Sequence, residues 1–261
     1  MIRTILNEKG GVAKTITAVQ LAAGFAKAGK QTLLIDGDPQ SCATKLLFEE
    51  EDIKQIIDGK KNISTVMVKP DLVRNCIWHT KIENLDMIPS NGDLNHTMNQ
   101  LMMNPMTSYP VRLQRALKHV YPYDYDEVII DNNPYFHLFP MNTIVCADEI
   151  IIPTNIEYGA INSIKATLED ISMVLDDLEE VKPLKYRILL TKIDRLNIDK
   201  EMIRQIRDAY GRNVYITTIR TQNKPVKEAG FTHNLLINDT KSGVAADYRN
   251  FIAEVIGGME E

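Results

Sequence analysis

Short runs of β-branched residues and leucine alternate along the chain with longer stretches in which apolar positions recur every three or four residues. The runs at 2–6, 31–35, 85–88, 127–130, 149–152, 186–190 and 214–216 predict strands. Several are apolar at consecutive positions, as in Val128-Ile129-Ile130, the pattern of strands buried on both faces of a parallel sheet. Helical periodicity covers 14–28, 111–120, 159–178, 199–210 and 243–256. Strand and helix in alternation predict an α/β fold: a doubly wound, mostly parallel sheet flanked by helices, in a single domain over 1–261. The stretch 49–107 is less regular, with acidic residues, Pro70, Pro89 and a methionine group at Met98, Met102, Met103 and Met106. Those methionines read as core or interface filler.

Composition narrows the class without naming a chemistry. The 261 residues, 44% hydrophobic and 25% charged, are enough to bury one large core. No apolar run approaches the roughly 18 residues that span a bilayer, and Met1 leads within a few residues into a strand and a glycine loop. A cytoplasmic protein without a signal peptide is expected. Cys42, Cys76 and Cys146 are odd in number and far apart, a spacing that suits neither zinc nor an iron–sulfur cluster, so they read as reduced thiols. The five histidines are equally scattered and receive no catalytic role. Net charge is −5, yet between 182 and 233 there are twelve Lys or Arg against five Asp or Glu. That local excess of +7 leaves −12 for the rest of the chain. A basic segment on an acidic protein points to a surface facing a polyanion.

Three motifs carry the chemistry. KGGVAKT, Lys9 to Thr15, follows the first strand and opens the first helix, where a phosphate loop belongs. Gly10 and Gly11 let the backbone N–H groups turn inward through Val12 and Ala13, and the helix N-terminus adds its positive dipole end. Lys14 would neutralise the β- and γ-phosphates and the Thr15 hydroxyl would sit on Mg²⁺. Glu8 and Ala13 stand where the standard G-x-x-x-x-G-K-[ST] pattern has glycine. LLIDGDPQ, at 33–40, places Asp36 and Asp38 at the carboxyl end of the second strand, where such sheets bind ligands. Gly37 and Pro39 predict that the strand has given way to a loop there, and Asp36 offers hard oxygen to the Mg²⁺ shell. VIIDNNP, at 128–134, ends an apolar run in Asp131, the Walker B pattern for holding Mg²⁺.

The lysine that precedes the glycine pair, Lys9, makes this loop resemble the deviant Walker A loop of the ParA/MinD family. LDMIPSNGDL at 85–94, EIIIPTNIEYGAI at 149–161, KEAG at 227–230 and NDTKSGVAADY at 238–248 also look like stretches of ParA partition proteins. No helix-turn-helix extension precedes the first strand, so the chain is similar to the short Soj-like branch. The resemblance implies that Lys9 reaches the nucleotide of a partner subunit and that Asp38 orients the attacking water. It further implies an ATP-dependent homodimer, binding to non-specific duplex DNA, a nucleoid-associated location and stimulation by a ParB-type adaptor. Asn132 and Asn133 stand where the family has a small residue and a second proline. Arg195, Arg220, Lys224 and Lys227 are the DNA-facing candidates, expected in or beside turns that follow strands.

Four other readings compete. LTKIDR, at 190–195, nearly matches the guanine-reading NKxD, but Thr191 replaces the asparagine, which favours ATP over GTP. A MinD-like membrane ATPase requires a basic amphipathic helix at the C-terminus. Here Tyr248, Phe251, Ile252 and Val255 form an apolar stripe ahead of an acidic Glu260-Glu261, so the stripe reads as core and no membrane partner is expected. A nitrogenase-reductase-like carrier lacks its pair of cysteines, whereas a metabolic synthetase on the same fold is not separated by motifs alone.

Overall fold

The computed structural model describes residues 1–104, 109–134, 138–157, 159–176, 185–194 and 196–258. Among these, eight strands form one sheet: β1 Ile2–Ile5, β2 Thr32–Gly37, β3 Trp78–His79, β4 Leu85–Ile88, β5 Glu127–Asn132, β6 Glu149–Asn155, β7 Tyr186–Ile193 and β8 Val214–Arg220. Their order is β3-β4-β2-β5-β1-β6-β7-β8. Every pairing is parallel except that of the two-residue edge strand β3 with β4. The seven runs read from the sequence are all strands. Only β3, too short to show a period, escaped that reading.

The continuous apolar runs have a simple cause. Neighbouring residues of one strand point to opposite faces, and each face is covered. Ile5, Leu34, Ile129, Ile151 and Leu189 pack under helices α1 (Lys14–Lys27), α2 (Cys42–Leu47) and α11 (Gly243–Gly257). On the opposite face, Leu33, Ile35, Val128 and Ile130 meet α4 (Ile63–Val68), α5 (Leu94–Met103) and α6 (Arg112–Leu117). Ile150, Ile152, Ile188 and Leu190 meet α7 (Leu138–Cys146), α8 (Ala160–Asp176) and α9 (Asn197–Tyr210). The stripe of Tyr248, Phe251, Ile252 and Val255 on α11 is buried in the first of these cores, as the sequence predicts. No described helix is long and apolar enough to cross a membrane.

The described part of the irregular stretch, 49–104, is more ordered than its sequence implies. It contains α3 (Glu50–Asp58), α4, a 3-10 turn at Pro70–Cys76, β3, β4 and α5. Six-residue α4 is too short to be stable from its own periodicity and depends on burial of Ile63, Val66 and Met67. Met98 packs in that core while Met102 and Met103 are exposed; Met106 lies outside the described residues. Cys76 and Cys146 are buried and Cys42 is exposed, all as free thiols.

Candidate nucleotide site

β1 lies between β5 and β6 at the centre of the sheet, and the loop that leaves it turns directly into α1. Two residues of that loop are left-handed: Gly11 at φ +74° and Ala13 at φ +70°. Glycine takes this conformation freely, whereas an L-residue loses about 1–2 kcal/mol in it. Ala13 is therefore a strained substitute for glycine and leaves the loop shape intact. We expect Ala13→Gly to stabilise the chain by about 0.5 kcal/mol, the released strain less the extra entropy of the unfolded glycine. A lowered urea midpoint would show that the loop is not strained at this position. Val12 is fully buried, and its carbonyl accepts from the Thr191 hydroxyl at 3.1 Å. This bond ties the loop to β7.

Three lysines surround the loop. Lys14 is 7% exposed, and its Nζ donates to the Lys9 carbonyl at 2.9 Å. Burial lowers the Lys14 pKa, with Asp131 and Asp38 acting in the other direction. Lys9 is partly exposed and pairs with Glu157, just beyond β6, at 2.5 Å. Its backbone N–H donates to Asn7 Oδ1, and the Asn7 amide donates in turn to the Pro153 carbonyl. The third is Lys192, itself left-handed at φ +56°, with Nζ 3.9 Å from where a Cβ on Gly11 would stand. Sequence reasoning passed over Lys192 because it weighed LTKIDR only as a base-reading motif.

The carboxylates converge where β2 and β5 end. Asp36 and Asp131 are register partners, so the pairing of the strands alone sets them side by side. Both are fully buried, but their surroundings differ. Asp36 Oδ2 accepts from the Thr44 N–H at 2.9 Å and the Thr44 hydroxyl at 2.7 Å, while Oδ1 accepts from the Asp38 N–H at 3.0 Å. Burial pushes its carboxyl up to about 6, against the pull of those bonds. The strand continues through Gly37 and does not end before it as the sequence implied. Asp36 thus fastens the following loop, and its oxygens are already engaged by the chain.

Neither oxygen of Asp131 accepts a well-formed hydrogen bond among the described residues, although the Thr15 hydroxyl stands near enough to favour its charged form. Burial and then the Asp36 charge push its pKa well above the carboxylate range, with Thr15 and Lys14 drawing it back. A fully buried carboxylate without partners is costly unless a cation completes it. Among the described residues no cluster of three or more metal-ligating side chains forms. Asp131 beside the Thr15 hydroxyl fits Mg²⁺, which takes one or two carboxylates and keeps waters and substrate phosphates in its shell.

Asp38 stands in the next turn, where its Oδ1 accepts from the Gln40 N–H at 2.9 Å. The asparagines after Asp131 have distinct surroundings. Asn132 donates to Thr4 Oγ1 at 2.6 Å and the Ile5 carbonyl at 3.1 Å, and accepts from Thr143 at 3.1 Å, which binds β5 to β1 and α7. Asn133 keeps a buried Oδ1 with no partner among the described residues. Phe139 of α7 lies so close to Gly37 that a Cβ there would stand 1.9 Å from its ring. The end of β2 and the helix after β5 are therefore in direct contact.

The basic candidates have unequal surroundings. Arg195 lies outside the described residues. Arg220 is held bidentately by Asp247, Nε to Oδ2 and Nη2 to Oδ1, both at 2.7 Å, so it fastens β8 to α11. Lys224 and Lys227 are exposed but belong to a helix, α10 (Asn223–Phe231), and not to a turn. Pro225 and Gly230 concealed that helix, although proline is tolerated in a first turn. Lys224 is 3.8 Å from Glu228; Lys227 has no ion pair among the described residues.

A parallel sheet with a glycine loop between its central strand and first helix, and a buried aspartate on the adjoining strand, defines a P-loop nucleotide-binding fold. A model of the AAA domain family matches residues 1–184. The chain is 32% identical to the sporulation initiation inhibitor protein Soj of Bacillus subtilis, over 97% of both chains. Among solved structures, a plasmid partition protein of Borrelia burgdorferi bound to AMPPNP superposes with a TM-score of 0.81 at 24% identity, covering 98% of each chain. Cobyrinic acid a,c-diamide synthase of Mycobacterium smegmatis, with bound ADP and magnesium, gives 0.81 at 25% identity over 100% of this chain and 95% of that one. The chain belongs to the ParA/Soj-type family of partition ATPases.

Proposed function

We propose that this protein is an ATP-dependent DNA-partition ATPase that dimerises on Mg-ATP, binds duplex DNA without sequence preference and hydrolyses ATP when a ParB-type adaptor stimulates it. The observation that carries the nucleotide chemistry is the open Asp131 carboxylate facing Lys14 and Thr15 at the mouth of the loop. Backbone N–H groups from Gly10 to Lys14 cradle the phosphates, and Lys14 balances the charge that shifts toward the β–γ bridge. Thr15 and Asp131 would hold Mg²⁺, whose chemistry is to neutralise the phosphate oxygens during transfer. Asp38 orients the attacking water. Family membership, and AMPPNP in the Borrelia protein, support ATP as the nucleotide. The protein acts in the cytoplasm on the nucleoid, as one domain, without a membrane partner.

Lys9 has a particular place in this scheme, since its ammonium is held by Glu157 of its own chain. Reaching a second subunit requires that pair to open, at little cost for so exposed an ion pair. Lys9→Ala is expected to lose ATP-dependent dimerisation while the monomer keeps its ATP affinity. Dimers seen in analytical ultracentrifugation with that variant and ATP would remove the cross-subunit role.

For DNA, Lys224, Lys227 and Arg195 carry the proposal, because the Arg220 guanidinium is already engaged. Two phosphates neutralised by each subunit of a dimer give a log–log salt slope of about −4, at about −0.9 per phosphate. Reversing Lys224 and Lys227 to Glu is expected to flatten that slope and weaken binding to all sequences alike, with ATP affinity unchanged. Parental affinity and slope in the double variant would place the DNA surface elsewhere. The Mycobacterium smegmatis synthase favours a second reading, a small-substrate synthetase on the same fold. ATPase rates with and without non-specific duplex DNA separate the two: stimulation by DNA and adaptor supports partition, and turnover that requires a small carboxylic acid supports the synthetase.

A further inference from the structure

The basic segment of the sequence is divided by the sheet. Parallel strands all begin at one edge and end at the other, and the eight residues of β7 span roughly 25 Å at about 3.3 Å per residue. Lys192 and Arg220 therefore belong to the nucleotide edge, whereas Lys185, Arg187 and Arg212 lie where β7 and β8 begin. At that far edge is a cavity of about 420 Å³ whose lining includes Arg3, Glu149, Lys185, Arg187, Arg212 and Tyr215.

The acidic groups at this cavity are already engaged. Glu149 accepts from Arg3 Nε at 2.8 Å. Glu254, beside the cavity, accepts from the Ile216 and Thr217 N–H groups at 2.7 and 2.8 Å and from Arg187 Nη2 at 3.2 Å. Donors remain unused. Lys185 and Arg212 are exposed and have no ion-pair partner among the described residues. Arg187 stacks its guanidinium 3.8 Å over the Tyr215 ring, and its buried Nε has no partner among the described residues. Tyr215 is fully buried, and its hydroxyl likewise has no partner among the described residues. Buried donors are normally satisfied, and here those without a partner among the described residues belong to side chains that line the cavity, beside cations that have no ion pair among those residues.

We propose that this cavity binds the phosphate group of a small molecule, at a second anion site separate from the nucleotide loop. Two cations without an ion pair among the described residues, a partly engaged arginine and a tyrosine hydroxyl suit an oxyanion with several acceptors and more than one charge. A duplex backbone fits less well, because it lies across a surface while Tyr215 is fully buried.

Calorimetric titration with inorganic phosphate and with pyrophosphate tests the proposal on four proteins: the parental chain, Lys14→Ala, Arg212→Gln and Tyr215→Phe. Lys14→Ala is expected to retain one phosphate-binding event per chain. Arg212→Gln should weaken that event about tenfold, the scale of one charge-assisted hydrogen bond. Tyr215→Phe should weaken it several-fold without loss of thermal stability, since it removes only an unpartnered hydroxyl. Phosphate binding that disappears with Lys14, or that Arg212→Gln leaves unchanged, would overturn the site. So would displacement of the phosphate by short duplex DNA, which would make this edge part of a DNA surface. None of these outcomes depends on whether the chain hydrolyses ATP.

Discussion

Lys14→Ala is expected to reduce ATP affinity by about 10²-fold or more, since two charge-assisted hydrogen bonds to phosphate contribute about 1.5–3 kcal/mol each. The loss should be selective. The Lys14 ammonium is buried and lowered in pKa by that burial, and among the described residues it donates to one protein acceptor, the Lys9 carbonyl. A desolvated cation with so little compensation contributes little to stability. Its burial is repaid when phosphate arrives. Lys14→Met, which keeps the volume, should therefore fold with a thermal midpoint at or near the parental value and still fail to bind ATP in calorimetry. Retained ATP affinity in both variants would dismantle the phosphate-loop assignment.

What the sequence revealed about this site is what depends on neighbours along the chain. The glycine pair, Lys14 and Thr15 are local to one turn, and Asp36 and Asp131 each end an apolar run, so their strand positions were readable. The register that pairs Asp36 with Asp131 was not, because no local pattern encodes which strands adjoin. Nor was the division of labour between the two aspartates. Thr44, which engages Asp36, lies eight residues further on, and Asp131 stands out only through the partners it lacks. The same limit hid the Arg220–Asp247 bond, 27 residues apart. It also hid Arg3, whose buried guanidinium joins Glu127 and Glu149 from the strands on either side. The basic segment shows the limit most directly: cations close in sequence belong to opposite edges once the strands run parallel, Lys185, Arg187 and Arg212 at one and Lys192 and Arg220 at the other.

Asp38→Ala is expected to bind Mg-ATP, accumulate as a dimer and turn over about 10²–10⁴-fold more slowly, the range for a positioned acid–base group. The geometry separates this from the effect of its neighbour. Asp38 accepts one backbone N–H through Oδ1, so its truncation costs a single turn contact. Asp36 receives two backbone N–H groups and the Thr44 hydroxyl; Asp36→Ala would leave three donors without their acceptor, at about 1–3 kcal/mol for each one that stays buried. Asp36→Ala should therefore appear first as lost stability and only then as lost activity, whereas Asp38→Ala keeps the parental urea midpoint. Thr44→Val offers an independent check, because it removes one donor to Asp36 and the acceptor for the Ser90 N–H without touching Asp38. It should reproduce part of the Asp36 stability loss. Single-turnover hydrolysis measured on Asp38→Ala at saturating Mg-ATP decides the matter: a parental rate moves the water-orienting role away from Asp38, and a slow rate in a fully folded dimer assigns it there.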